Sequence, residues 1–344
     1  MRIAQIMLGK GFGGAERSFV DTALSLAERG HEVMAICHER FSEIERLRGV
    51  ENLDLETVNA HGEWDFWTPR RIARLLKGFR ADVVHTQLKR AAWHGGRAAK
   101  LAGVPIVSKL HNYVDLKRYR NVDKLLCTTE DQRRHVLEQG WPETGVTVIP
   151  NFSCLLPVDR VDERCNGPVT FLSYGRYVKK KGFDLLIRAF KQVLDTGIDA
   201  RLRIGGRGPE LESLRALADE LGITKQVQLG EWLSDVSEAL DAADCFVLSS
   251  LDEPFGIVML EAMARGVPIV SSRTKGPMEV LNDDSALLCA VGSADGLAAQ
   301  MKTIVDDSPS AQARAEAALE IYRKLYFVDS VIPRIETVYS EVSS

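Results

Sequence analysis

The feature that most constrains this 344-residue chain is an alternation of short β-branched runs with amphipathic helical runs, which occurs twice. In the first half, strand-like runs fall at 3–8, 32–37, 83–85, 106–109, 124–128 and 147–149, and helical spacing at 14–29, 70–79 and 91–102. After a turn-rich stretch at 157–168 the pattern restarts. Strand-like runs then fall at 169–174, 201–204, 227–229, 245–248, 268–271 and 286–289, with helical spacing at 183–195, 210–221, 236–242 and 258–264. Strands separated by helices need crossover connections, and crossovers join parallel neighbours. A single core stops growing near roughly 250–300 residues. The expectation is therefore an α/β chain with two parallel-sheet domains, at 1–160 and 161–328. A final amphipathic segment at 329–344 is expected to form a helix that could return to the first domain.

Composition narrows the class. With 45% hydrophobic and 27% charged residues and a mean hydropathy of -0.10, the chain reads as globular. No apolar run approaches the ~18 residues needed to span a bilayer, and no secretory leader is read at the N terminus. The six cysteines (Cys37, Cys127, Cys154, Cys165, Cys245 and Cys289) are scattered without a C-x-x-C pair. They are expected to be buried free thiols of a cytoplasmic protein.

The net charge of -4 hides an asymmetry. Between Thr68 and Lys124 stand fourteen basic residues against three acids, Asp82, Asp115 and Asp123. Such a segment suits an anionic surface or a phosphorylated partner, since each cation near an anionic membrane contributes about 1 kcal/mol. Peripheral contact with the inner face of a plasma membrane is one expectation. Nucleic acid is not expected, because Trp93, Tyr113 and Tyr119 accompany the cations without a recognition motif.

Open parallel sheets bind ligands where strand ends lead into helices. The first such loop is Gly9-Lys10-Gly11-Phe12-Gly13-Gly14-Ala15-Glu16, and Gly13 and Gly14 would let a backbone approach a diphosphate at a helix N-terminus. With Glu39 ending the second strand, this loop alone also fits an NAD- or FAD-dependent oxidoreductase. The most informative loop runs from Asp252 to Pro268. It places Glu253 before a helix start at Phe255, Gly256, Ile257 and Val258, and Glu261 about one turn inside. Free N–H groups flanked by two carboxylates suit a ligand carrying both phosphate and hydroxyls. Within an apolar helix, Glu261 needs a partner. Arg176 and Lys181 follow another strand and would stabilise a diphosphate that gains charge as it departs. Gly205 and Gly206 form a third turn, carrying Arg207.

The stretch from Glu253 to Pro268, E-P-F-G-x-x-x-L-E-A-M-A-x-G-x-P, resembles the signature of glycosyltransferase family 4. Gly175 to Asp184 resembles the family's G-R-x-x-x-x-K-G-x-D, Ile204 to Glu210 its I-x-G-x-G-P-E loop, and Gly13 to Glu16 its N-terminal G-G-x-E. The resemblance implies a GT-B fold, two Rossmann-like domains facing a central cleft, with the acceptor on the first and the nucleotide sugar on the second. It implies transfer with retention from a nucleoside-diphosphate sugar, UDP-sugar favoured, to a glycan or glycolipid acceptor of bacterial lipopolysaccharide or cell-envelope polysaccharide. Catalytic residues would be His111, Arg176, Lys181 and Glu253. Donor binding would fall to Gly13, Gly14, Gly205, Gly206, Trp232, Phe255, Gly256, Ile257, Val258 and Glu261. No cofactor and no metal are implied, and the sequence holds no D-x-D motif. His85 lies on a neighbouring strand end, and Phe152 replaces a glycine the family often has after Pro-Asn. A nucleotide-sugar-binding subunit without turnover is the remaining, non-catalytic reading.

Overall fold

The structure, a computed structural model, describes residues 1–11, 13–62, 65–162 and 167–344. Two units divide the chain. The first comprises Met1–Phe152 and Val328–Ser344, the second Ser153–Phe327.

The first unit is built on a seven-stranded sheet. Its strands are β1 (Arg2–Met7), β2 (Glu32–His38), β3 (Leu53–Val58), β4 (Val83–Gln87), β5 (Ile106–Lys109), β6 (Lys124–Cys127) and β7 (Val146–Val148). All pair in parallel, in the order β3-β2-β1-β4-β5-β6-β7. The edge strand β3 was not expected from the sequence. It is half-exposed and carries acids, Leu-Asp-Leu-Glu-Thr-Val, so it lacks the apolar run of a central strand. Helices α1 (Gly14–Glu28), α2 (Trp67–Phe79), α3 (Leu88–Ala102) and α4 (Glu130–Glu138) cover the faces.

The second unit holds a six-stranded parallel sheet of β8 (Val169–Tyr174), β9 (Ala200–Gly205), β10 (Val227–Glu231), β11 (Cys245–Leu248), β12 (Ile269–Ser272) and β13 (Leu287–Cys289), ordered β10-β9-β8-β11-β12-β13. Helices α5 (Phe183–Asp195), α6 (Leu211–Glu220), α7 (Val236–Asp241), α8 (Ile257–Ala264), α9 (Lys275–Val280), α10 (Ala294–Asp306) and α11 (Ser308–Ile321) flank it. A π-helical turn, Tyr322–Tyr326, leads to α12 (Val328–Ser343).

Helix α12 completes the first unit. Val331, Ile332, Ile335, Val338 and Tyr339 join the core formed by Ile3, Phe19, Val83 and Val107. Arg29 and His31 reach Glu336 at 2.8 and 2.9 Å, and Lys124 reaches Glu341 at 2.7 Å. The chain thus leaves the first unit after Phe152, ahead of the expected boundary at 160, and re-enters it at Val328.

Cys37, Cys127, Cys245 and Cys289 are buried thiols, and burial pushes Cys37 and Cys127 up to about 12. Cys154 is exposed, which corrects the expectation that all six are buried, and Cys165 lies outside the described residues. Among the described residues no helix is long and apolar enough to cross a membrane.

Candidate active site

In each sheet the strand order reverses direction between two central strands, β1 and β4 in the first unit, β8 and β11 in the second. Loops at the carboxyl ends of such strands diverge and leave a crevice. Most of the site residues expected from the sequence fall on these loops.

In the second unit three loops are tied together. Gly175 N donates to Gly205 O at 3.0 Å, and Tyr177 N to Arg207 O at 2.8 Å. Gly206 has φ +124°, and a Cβ there would lie 2.0 Å from Gly175 O, so only glycine lets these turns touch. The loop after β11 joins them through Leu251 N to Lys180 O at 2.8 Å and Ser249 Oγ to Lys181 O at 3.0 Å.

This stitching brings Lys181 to Glu253. Their Nζ and Oε2 atoms lie 2.6 Å apart, with only 16% and 11% of the side chains exposed. Ser250 Oγ lies 3.5 Å from the same carboxylate oxygen. Arg176, from the same loop as Lys181, is exposed. Gly256 caps α8, whose first residues Ile257 and Val258 are half-buried. Phe255 is buried with its ring 6.1 Å from Tyr326, so its main chain is what it offers at the helix start.

Glu261 is fully buried, and its Oε2 accepts from Tyr174 Oη at 2.7 Å. Tyr174 is the partner that a carboxylate inside an apolar helix needs. It ends β8 with no motif around it, and sequence reasoning missed it. Trp232 is 49% exposed, and the Arg207 guanidinium lies over its ring at 5.8 Å.

In the first unit, Gly13 caps α1 and Gly14 opens it, beyond the end of β1. Nearby, Lys10, Leu88, Lys89, Arg90, His111 and Tyr119 line a recess of about 380 Å³. Helix α3 follows β4 with no loop between, which forces Leu88 to φ +69°, a conformation costly for a residue with a Cβ. Its first turn holds two cations and no acid, against the helix dipole. His111 lies in this recess, its Nε2 2.8 Å from Gln87 Oε1. That contact puts the ring proton on Nε2 and leaves Nδ1 as an acceptor. Burial, then Lys109 and His85, lower the His111 pKa well below its ordinary value, so the ring is neutral.

His85 is not part of the recess. It is fully buried, with Nδ1 2.6 Å from Tyr339 Oη of α12, and burial lowers its pKa to about 3. Lys109 is also fully buried, donating to Pro150 O at 3.0 Å with its Nζ 5.8 Å from the centre of the Phe152 ring. Burial and Arg334 lower it to about 7. Phe152 thus serves the interior of the first unit.

Two parallel-sheet units with loops gathered at their switch points define the GT-B architecture, and solved structures share it. The chain matches a glycosyltransferase from Rickettsia africae ESF-5 with a TM-score of 0.86 at 20% identity, covering 99% of this chain and 98% of that one. It matches Anabaena HepE in complex with UDP with a TM-score of 0.86 at 19% identity, covering 99% and 100%. The family model described as glycosyl transferases group 1 matches residues 159–320, and that of glycosyltransferase family 4 matches residues 12–152. The lipopolysaccharide core biosynthesis glycosyltransferase LpsD of Rhizobium meliloti (strain 1021) is 34% identical over 323 residues, 92% of this chain and 91% of that protein. The chain belongs to glycosyltransferase family 4 and is a glycosyltransferase that draws on a nucleotide-sugar donor.

Proposed function

We propose that this enzyme transfers a sugar, with retention at the anomeric carbon and without a metal, from a UDP-sugar to a glycan or glycolipid acceptor of the bacterial cell envelope. The observation that carries the reading is the Lys181–Glu253 pair, brought together just ahead of α8. The donor diphosphate takes Lys181 and Arg176 as its cations. The N–H groups at Gly256, Ile257 and Val258 meet its oxygens, and the turn at Gly205 and Gly206 lets it approach. Trp232 lies against the base, and Glu253 and Glu261 accept from hydroxyls of the donor. On the first unit, Gly13 and Gly14 are assigned to donor binding and His111 to the transferred sugar.

The acceptor oxygen bonds to the anomeric carbon on the face from which the diphosphate leaves. The C–O bond to the diphosphate breaks, and the acceptor's proton passes to the departing phosphate oxygen. Arg176 and Lys181 lower the barrier because the charge they meet grows as that bond breaks. Neutral His111 adds no charge beside the electron-poor anomeric carbon.

The acceptor is anionic in this reading. Lys10, Lys89 and Arg90 converge on the recess of the first unit, with the N-terminus of α3 adding its dipole. Two relatives of similar length, LpsD and LpsE of Rhizobium meliloti (strain 1021), are lipopolysaccharide core biosynthesis glycosyltransferases, which supports an acceptor of that kind. The basic 68–124 segment would hold the enzyme to the cytoplasmic face of an anionic membrane. The test is a thermal-shift panel of UDP, GDP, ADP, their sugar conjugates and NAD. At about 100-fold its dissociation constant, a ligand stabilises by roughly 2.7 kcal/mol. A shift with UDP and its sugars but not with NAD is expected. A shift with NAD alone would overturn the reading.

A further inference from the structure

The first unit holds the backbone around His111 from both sides. Leu110 N donates to Leu126 O at 2.9 Å, and Asn112 O accepts from Gln132 Nε2 of α4 at 3.1 Å. Gln132 is itself buried, its Oε1 accepting from Thr128 N at 2.7 Å. With the main chain fixed, what remains free is rotation of the imidazole about its side-chain bonds. One contact fixes that rotation, from Nε2 to Gln87 Oε1 at 2.8 Å. Among the described residues Nδ1 has no partner, and the half-buried ring lines the recess.

Gln87 makes this contact at a cost. It ends β4, opposite Lys109 in the register with β5, and is fully buried. It precedes the first turn of α3, yet its side chain makes no cap bond to the helix. Among the described residues its Nε2 is buried without a hydrogen-bond partner, and an unmet buried donor is unfavourable. The next residue is Leu88, with its left-handed backbone. Two unfavourable features in consecutive residues persist only where the surrounding structure imposes them, and such features gather at functional sites. The amide has its own logic here. Burial keeps the His111 ring neutral, with Lys109 and His85 adding to the effect, and Lys10, Lys89 and Arg90 stand on the same recess wall. A carboxylate in place of Gln87 would draw a second proton onto the ring. An amide oxygen accepts one N–H and leaves the ring uncharged.

We infer that Gln87 is a positioning residue for sugar transfer, locking His111 in one rotation and one tautomer, with the proton on Nε2 and with Nδ1 left to accept a hydroxyl hydrogen from the transferred sugar. The inference rests on the assignment of His111 to that sugar above, and it adds a selection rule. The site favours a sugar whose hydroxyl gives its hydrogen to His111, and a sugar without a hydroxyl at that point leaves Nδ1 unmet. Protonating Nδ1 would turn the acceptor into a donor and set a positive charge beside an electron-poor carbon.

The test reads histidine tautomers by nitrogen NMR on the full chain, with the His111 signals identified by their loss in His111→Asn. In the unaltered protein at pH 6.5, the ordinary midpoint of a histidine, the ring is neutral, with Nε2 protonated and Nδ1 bare. A proton on Nδ1 would overturn the inference. Gln87→Glu, of nearly the same shape, protonates both nitrogens at that pH, and a ring that stayed neutral would show that Gln87 does not govern it. Gln87→Met keeps the volume and removes the acceptor. Calorimetry then compares UDP with UDP-glucose, UDP-galactose and UDP-N-acetylglucosamine. Affinity for UDP, which lacks the sugar, is unchanged in both variants and shows that they are folded. Affinity for at least one UDP-sugar, relative to UDP, falls about tenfold in both, the loss of one well-aligned hydrogen bond. In Gln87→Glu the loss is relieved as pH rises and the ring gives up its proton, whereas in Gln87→Met it is the same at every pH. Ratios unchanged for all three sugars would reduce Gln87 to a structural role and overturn the inference. UDP that failed to bind the unaltered protein would count against the donor reading instead, and the tautomer, read without ligand, still decides whether Gln87 sets the ring.

Discussion

The two units place similar sheets under opposite electrostatic regimes. All seven histidines and the fourteen-cation segment lie in the first, and the second has no histidine. The first unit buries His85, Lys109, Gln5 and Gln87 on its core strands. The second unit buries Glu261 inside α8 against Tyr174 and neutralises the cation at its loop ends in advance, Lys181 against Glu253. If the proposed reading holds, one unit would bind through a standing excess of charge, the other through a pair that a ligand must separate.

The sharpest way to break this comparison is to remove the cations of the second unit. Arg176→Ala and Lys181→Ala are each expected to lower kcat by about 10²–10³, the loss typical of a donor aimed at developing charge. Unchanged circular dichroism would show that the fold survives, and near-normal turnover in both would refute their roles. Next comes the backbone that joins the loops. Gly206→Ala is expected to destabilise by about 2 kcal/mol, because alanine is strained at that φ and its Cβ meets Gly175 O. An unchanged urea midpoint would mean the turns are not interlocked. Smaller still is the effect of Glu253→Gln. Without the competing carboxylate, Lys181 is available, so UDP lacking its sugar should bind roughly three- to tenfold tighter while transfer falls. Weaker UDP binding by calorimetry would show that the pair does not oppose the ligand.

The mildest effect concerns acid. His85 titrates near 3 when folded and at its ordinary 6.5 when unfolded. The unfolded chain therefore takes the proton first, and stability present above pH 6.5 is lost as pH falls from 6.5 towards about 3. Burial likewise lowers His38, His94 and His111, so the loss belongs to the first unit. His85→Gln should flatten the slope of stability against pH between 6.5 and 5, and an unaltered slope in chemical denaturation would remove His85 from the account.

The sheets were legible because central strands carry apolar runs and helices end at glycines such as Gly30 and Gly103. Strand β3 was not, since its edge position tolerates Asp54 and Glu56. Helices α10 and α11 carry local start signals, the caps Ser293 and Asp307 and a proline in the first turn of α11. The arginine, lysine and glutamate positions of the candidate site were marked by dense loop motifs. Their mutual contact was not, because Lys181 and Glu253 are 72 residues apart and meet only through loop-to-loop hydrogen bonds. Tyr174 and Gln87 sit on ordinary strands, where only the tertiary fold reveals what a side chain faces.

The return of α12 has a consequence for how the molecule comes into being. Ribosomal synthesis usually lets the leading domain of a chain fold first. Here the leading unit lacks part of the cover over one face of its sheet until residues 328–343 have been made, by which time residues 153–327 can already be folded. The part of the chain translated first is the part completed last, and until then the apolar surface that α12 covers stands open to chaperones and to its own neighbours on the polysome.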